Sequence, residues 1–260
     1  MASKVKKQTL IVAAVFITGF LAMISYWNVP TQPPLVDDGL RFGAATIAFD
    51  NATTEGNTSE TVKTYSHTVN DDTSGILFVT ATGPFTAESN VQSVTYAGEA
   101  MTLIASKSNG ANNRRAFLFY LVGPTVGINN VVLTFNTTYN SASSAMSYTG
   151  ASQTGVPDSF AVRNATEDPF TQSTTVIATG SWLVGIAQNN EENYTAGTGL
   201  TIRGSAVNGM AAGDSNGTVS TGSQSMSWDV TSSFEHQGVI ASFAPDEAGA
   251  AAGFEWGQVI

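Results

Sequence analysis

The run RAFLFYLV at 115–122 is apolar on both sides: Ala116, Leu118 and Tyr120 alternate with Phe117, Phe119 and Leu121. Successive side chains of a strand point to opposite faces, so such a strand suits a central position covered on two sides. GILFVTAT at 75–82 has the same character. TVKTYSHTV (61–69) and QSMSWDV (224–230) instead alternate apolar with polar, as half-buried strands do.

Working outward, short β-type runs follow one another from Arg41 to about Pro245. ATIAFD (45–50), VQSVTYAG (91–98), AMTLIAS (100–106), NVVLTFNT (130–137) and SAMSYTG (144–150) lie in the first half. TTVIAT (174–179), SWLVGIAQ (181–188), GLTIRG (199–204) and QGVIASFA (237–244) lie in the second. Each is bounded by Gly, Asn, Asp, Ser or Pro. No internal stretch spaces apolar residues by three and four over ten residues, so no long helix is expected there. The predicted fold is all-β: an antiparallel two-sheet β-sandwich, jelly-roll-like, over 41–245.

The N-terminus reads differently. Residues 8–27, QTLIVAAVFITGFLAMISYW, carry no charge. Twenty helical residues span about 30 Å, the thickness of a bilayer's hydrocarbon core. Lys4, Lys6 and Lys7 in the stub 1–7 predict a cytoplasmic N-terminus, and Tyr26-Trp27 suit the opposite interface. A cleaved leader is the competing reading, but the small-x-small cleavage pattern is missing. The expectation is a single retained transmembrane helix in the lipid bilayer, with the β-domain outside the cytoplasm, at a cell or virion surface. Pro30, Pro33 and Pro34 end the apolar run at once, unlike a pilin helix, and stiffen a spacer over 28–40.

Composition narrows the function. There is no cysteine, so neither disulfides nor thiol chemistry is available. Net charge is −10, and about −13 without the three N-terminal lysines, which opposes binding to nucleic acid. Charged residues are only 12% of the chain, the balance of a secreted β-protein rather than a cytosolic enzyme.

Catalytic constellations are sparse. His67 and His236 are the two histidines, far apart, where a zinc site needs three or four ligands. Gly213-Asp214-Ser215-Asn216-Gly217 matches G-x-S-x-G, but its surroundings read as a loop rather than a strand-to-helix elbow. Asp71-Asp72 and Glu191-Glu192 read as solvated turn charges, although carboxylates and carbonyls there are the ligands a Ca²⁺ ion takes. No catalytic, cofactor or metal residues are therefore assigned. Tyr139, Phe170 and Tyr194 lie in loop-like sequence, where they either stack on a glycan or tuck under loops. Residues 246–260 form a tail in which Phe254, Trp256, Val259 and Ile260 follow a small-residue stretch. Phe254, Trp256 and Gln258 alternate, which suits docking on a neighbour by strand addition.

The runs IAFDNATTEG, TYSHTV, ILFVTAT, VQSVTYAGEAMTLIA, RRAFLFYLVGPTVGINNVVLTF, SAMSYTGASQTGVPDSF and SMSWDVTSSFEHQGVIASFAP together resemble a concanavalin A-like, jelly-roll β-sandwich module of bacterial and phage surface proteins. The resemblance covers roughly 44–245. Its motifs are turn glycines and core aromatics, and Ala97 stands where the module's hairpin has its first glycine. It implies an extracellular or virion setting and brings no catalytic residues. Three functional expectations follow: a membrane-anchored structural or adhesive protein that meets protein neighbours or itself, a carbohydrate-binding module, and a filament or pilus-like subunit.

Overall fold

The computed structural model describes residues 45–84, 91–108, 114–189, 193–206, 209–230 and 235–247. Among them every regular element is a β-strand, and all pairings are antiparallel. The first sheet contains β1 (Ala48–Val69), β2 (Ile76–Pro84), β3 (Val91–Tyr96), β4 (Glu99–Ala100), β5 (Thr102–Ser108), β6 (Arg114–Val122) and β7 (Gly127–Thr149). Its order is β4-β3-β7-β2-β6-β5, with β1 on β7. The remaining strands are β8 (Ser159–Ala165), β9 (Phe170–Val176), β10 (Trp182–Gln188), β11 (Thr195–Ala196), β12 (Thr201–Ala206), β13 (Met210–Asp214), β14 (Gly222–Asp229) and β15 (His236–Phe243). They make a second sheet, β12-β13-β10-β15-β8, and a third, β11-β14-β9. The two-sheet expectation is thus one sheet short.

The strands β1 and β7 are 22 and 23 residues long and pair from Ala48↔Thr149 to Val69↔Gly127. The sequence reading splits each in two, taking the Asn/Thr/Ser-rich middles for turns. Those middles carry the bend instead. Register shifts fall between Glu55 and Thr58 and between Glu60 and Val62. Such bulges kink a ladder without ending it. The ribbon folds back on itself there. Tyr65 pairs with Val131 and His67 with Asn129 along the ladder. Yet the Tyr65 hydroxyl lies 2.8 Å from Ser143 Oγ, and His67 reaches Thr53 Oγ1 at 3.0 Å and Ser147 Oγ at 3.2 Å. These are contacts across the fold.

Three cores result. Ile76 and Phe78 of β2, with Leu118 of β6, face Val184, Ile186 and Phe243 between the first and second sheets. Leu77, Val79, Phe117 and Phe119 point the other way, into the folded ribbon with Leu133 and Tyr96. Leu183 and Ile240 meet Phe170, Met226 and Trp228 between the second and third sheets. Strands apolar on both faces therefore serve two cores each, as RAFLFYLV and GILFVTAT predict. Each fully buried Leu or Phe contributes about 1.5–3 kcal/mol, so neither face is dispensable. Gly185 lets the second and third sheets approach: a Cβ there would sit 3.1 Å from both Trp228 Cη2 and Met226 Cε.

Candidate functional site

The domain has two unlike ends. At one end the chain enters and leaves side by side: Ala45 N–H donates to Asp246 O at 3.0 Å, and Asp246 N–H to Gly150 O at 2.8 Å. Carboxylates fix the turns around it. Asp50 accepts from Asn70, and Asp71 accepts from the Thr73 N–H and hydroxyl at 2.8 and 2.7 Å. These bonds hold the Asp71 carboxyl below the usual carboxylate range. An open cavity of about 630 Å³ lies here, lined by Ser152, Thr154, Ala178, Pro245, Asp246 and Glu247 among others. At the opposite end lies the ribbon bend. Beside it Gln188 and Gln237 face each other across β10 and β15.

Of the three candidate stacking residues, only Tyr139 keeps part of its ring outside a core. It sits at the ribbon bend, opposite Glu60, half-buried. Burial raises its phenol, and Arg114 partly offsets this. Phe170 and Tyr194 are 0% and 4% exposed, both in the third core. They come together around His236: ring centroids lie 5.3 and 5.7 Å away, and the Tyr194 hydroxyl is 3.0 Å from His236 Nδ1. Their rings are committed to packing. A propensity argument takes them for loop residues because β11 is only two residues long and Phe170 follows Asp168-Pro169. Trp182 and Trp228 are core residues, as their strand patterns predict.

His67 and His236 occupy separate interiors. Among the described residues no three His, Asp or Glu side chains gather where a metal could bind. Ser215 is held as a turn residue: its hydroxyl accepts from Leu183 N–H at 3.1 Å and donates to Gly217 O at 2.7 Å. The neighbouring Asp214 is the polar residue that sequence reasoning missed. It is fully buried, and Arg203 grips it through Nε at 2.8 Å and Nη2 at 3.1 Å. Tyr148 donates its hydroxyl to the same carboxylate at 2.8 Å, and the Arg203 guanidinium stacks 3.9 Å over Phe49. Burial and this carboxylate push the Tyr148 phenol well above its ordinary range. The cluster cross-links the first sheet to the second. Glu191-Glu192, the apolar segment 8–27 and the aromatic tail lie outside the described residues.

No protein-family model matches the chain, and no curated protein matches it.

Proposed function

We propose that this chain is a non-enzymatic, membrane-anchored surface or structural protein. Its β-sandwich mediates assembly or adhesion on a cell envelope or a membrane-containing virion. The carrying observation is the pairing of Ala45 with Asp246. Ala45 and Asp246 thus share one end of the domain, which leaves the ribbon bend and the sheet edges for contacts. The uncharged run 8–27 has the length and flanking residues of a bilayer span. Among the described residues no helix is long and apolar enough to cross a membrane, and 8–27 is not among them. Both histidines and Ser215 are spent on internal hydrogen bonds, which fits a scaffold better than a catalyst. Jelly-roll connectivity and kinship with surface modules belong to the same proposal.

Mass spectrometry of the membrane-bound protein tests the anchor. The expected chain retains residues 8–27, and deletion of that segment releases the protein into the soluble fraction. Recovery of a mature chain starting near Asn28 would sink the anchor. A carbohydrate-binding role is the second reading, favoured by Tyr139 at the bend. Loss of glycan-array binding on Tyr139→Ala, with an unchanged melting temperature, would support it.

A further inference from the structure

The run Gly213-Asp214-Ser215-Asn216-Gly217 spends its serine on a turn, but its last two residues carry a chemistry of their own. An asparagine carboxamide can be attacked by the backbone nitrogen of the next residue, and a side chain on that residue hinders the approach. Glycine has none. Among the described residues Asn216 is the one asparagine followed by glycine. It is exposed, in the turn between β13 and β14, with φ at +50°, a conformation asparagine tolerates. None of the described residues accepts from the Gly217 N–H, and a Cβ built on Gly217 would meet nothing within 4 Å. Attack requires the turn to rotate about Asn216. Ser215 N–H is tied to Leu183 O at 3.0 Å and Val219 N–H to Ser181 O at 2.8 Å, so that rotation is confined to 216–218.

Arg203 adds what the dipeptide alone lacks. Its Nη2 donates to Asn216 Oδ1 at 2.5 Å, while Nε and the same Nη2 hold the buried Asp214. Negative charge develops on the carboxamide oxygen when its carbon is attacked, and a cationic donor fixed there stabilises it. We propose that Asn216 is a self-modification site, deamidated through a cyclic imide with Arg203 as the donor to its carboxamide oxygen. The Gly217 nitrogen gives its proton to solvent and bonds to Asn216 Cγ. The carboxamide nitrogen leaves as ammonia, and a succinimide remains. Water then opens the ring at either carbonyl, giving aspartate or isoaspartate, so that water is the sole co-reactant. Each event replaces a neutral carboxamide with a carboxylate beside Arg203, whose cluster with Asp214, Tyr148 and Phe49 joins the first sheet to the second.

The test ages the full chain in detergent micelles, at mildly alkaline pH in water enriched in heavy oxygen, and maps its peptides by mass. Ageing continues until Asn109-Gly110 or Asn208-Gly209, the same dipeptide elsewhere in the chain, has converted. The peptide holding Asn216 should by then be a mixture of aspartate and isoaspartate, each event taking up heavy oxygen and releasing ammonia. Gly217→Ala should keep the melting temperature and slow the conversion. Arg203→Lys keeps a cation opposite Asp214 but loses the planar fork. It should slow conversion of the folded chain by about tenfold, less than a donor in a dry, preorganised site is worth, and leave the rate in urea unchanged. Conversion of the other dipeptides without Asn216 overturns the proposal, as does a folded-chain rate that Arg203→Lys leaves untouched. If Arg203→Lys fails to fold, conversion that Gly217→Ala does not slow overturns it instead. So does a glycan found on Asn216, because Asn216-Gly217-Thr218 is also an acceptor sequence for glycosylation.

Discussion

Two polar clusters lie inside this domain, and they solve burial differently. Between the first and second sheets, Asp214 is matched by Arg203 through two hydrogen bonds and by the Tyr148 hydroxyl. Inside the folded ribbon, Lys63 and His67 meet mostly neutral oxygens. The Lys63 ammonium donates to Gly56 O at 2.8 Å and Thr58 Oγ1 at 2.5 Å, and His67 bonds two hydroxyls. Burial lowers the Lys63 ammonium, with Glu55 and Glu60 opposing, and takes His67 down to about 4 against the pull of Asp50. It also raises the Tyr65 phenol. The first cluster sets a cation against a carboxylate. The second keeps its histidine neutral.

The largest expected effect comes from unpairing the first cluster. Asp214→Ala removes the carboxylate that Arg203 and Tyr148 share, leaving Arg203 only Asn216, and should cost about 3–5 kcal/mol, read by urea unfolding at pH 7. A loss below about 1 kcal/mol would show that the cluster does not join the sheets. Acid should strike the second cluster. An unfolded chain protonates His67 near 6.5, whereas the folded chain resists until about 4. The unfolded state therefore binds the extra proton within that window. Stability falls as pH drops from about 6.5 to 4 and levels off below, by about 3 kcal/mol for this residue. The difference in pH profile between the native chain and His67→Gln isolates it from the carboxylates, and parallel profiles would refute it. The smallest effect belongs to Lys63→Met. It exchanges a lone buried cation for an apolar chain of similar length and should stay within about 1 kcal/mol of the native chain. A larger loss would mean that Lys63 is paired as firmly as Arg203.

Sequence reasoning reached the covered faces of single strands better than the number of sheets. Alternation in GILFVTAT and RAFLFYLV is set by which core each residue enters, so it is visible locally. The middles of β1 and β7, NATTEGNTSE and TTYNSAS, look like turns because Asn, Thr, Gly and Ser favour turns. They remain strands because each continues to pair with the other across the bulges. β13, MAAGD, has no β-branched residue at all. It sits buried between β10 and β12, where a Cβ on Gly213 would already lie 2.7 Å from Leu200 Cδ1. Small size, not β-propensity, selects that strand, and only the tertiary neighbours reveal it. The Arg203–Asp214 pair is hidden for the same reason: the partners lie eleven positions apart, and the β12–β13 register brings them together. Ala97 shows the reverse case. The resemblance to surface modules implies a glycine at this turn position, and the φ of Ala97 is +52°, followed by Gly98 at +84°.

The bond between Ala45 and Asp246 also fixes how this domain carries a load. A pull on the two chain segments flanking the domain acts at neighbouring points and opens the fold like a zipper, one hydrogen bond after another. A pull between Ala45 and the ribbon bend acts along β1 instead, so that many rungs of its ladder with β7 must slide together. Direction of tension, rather than its size alone, therefore decides whether the molecule behaves as a clasp that releases or a strut that holds.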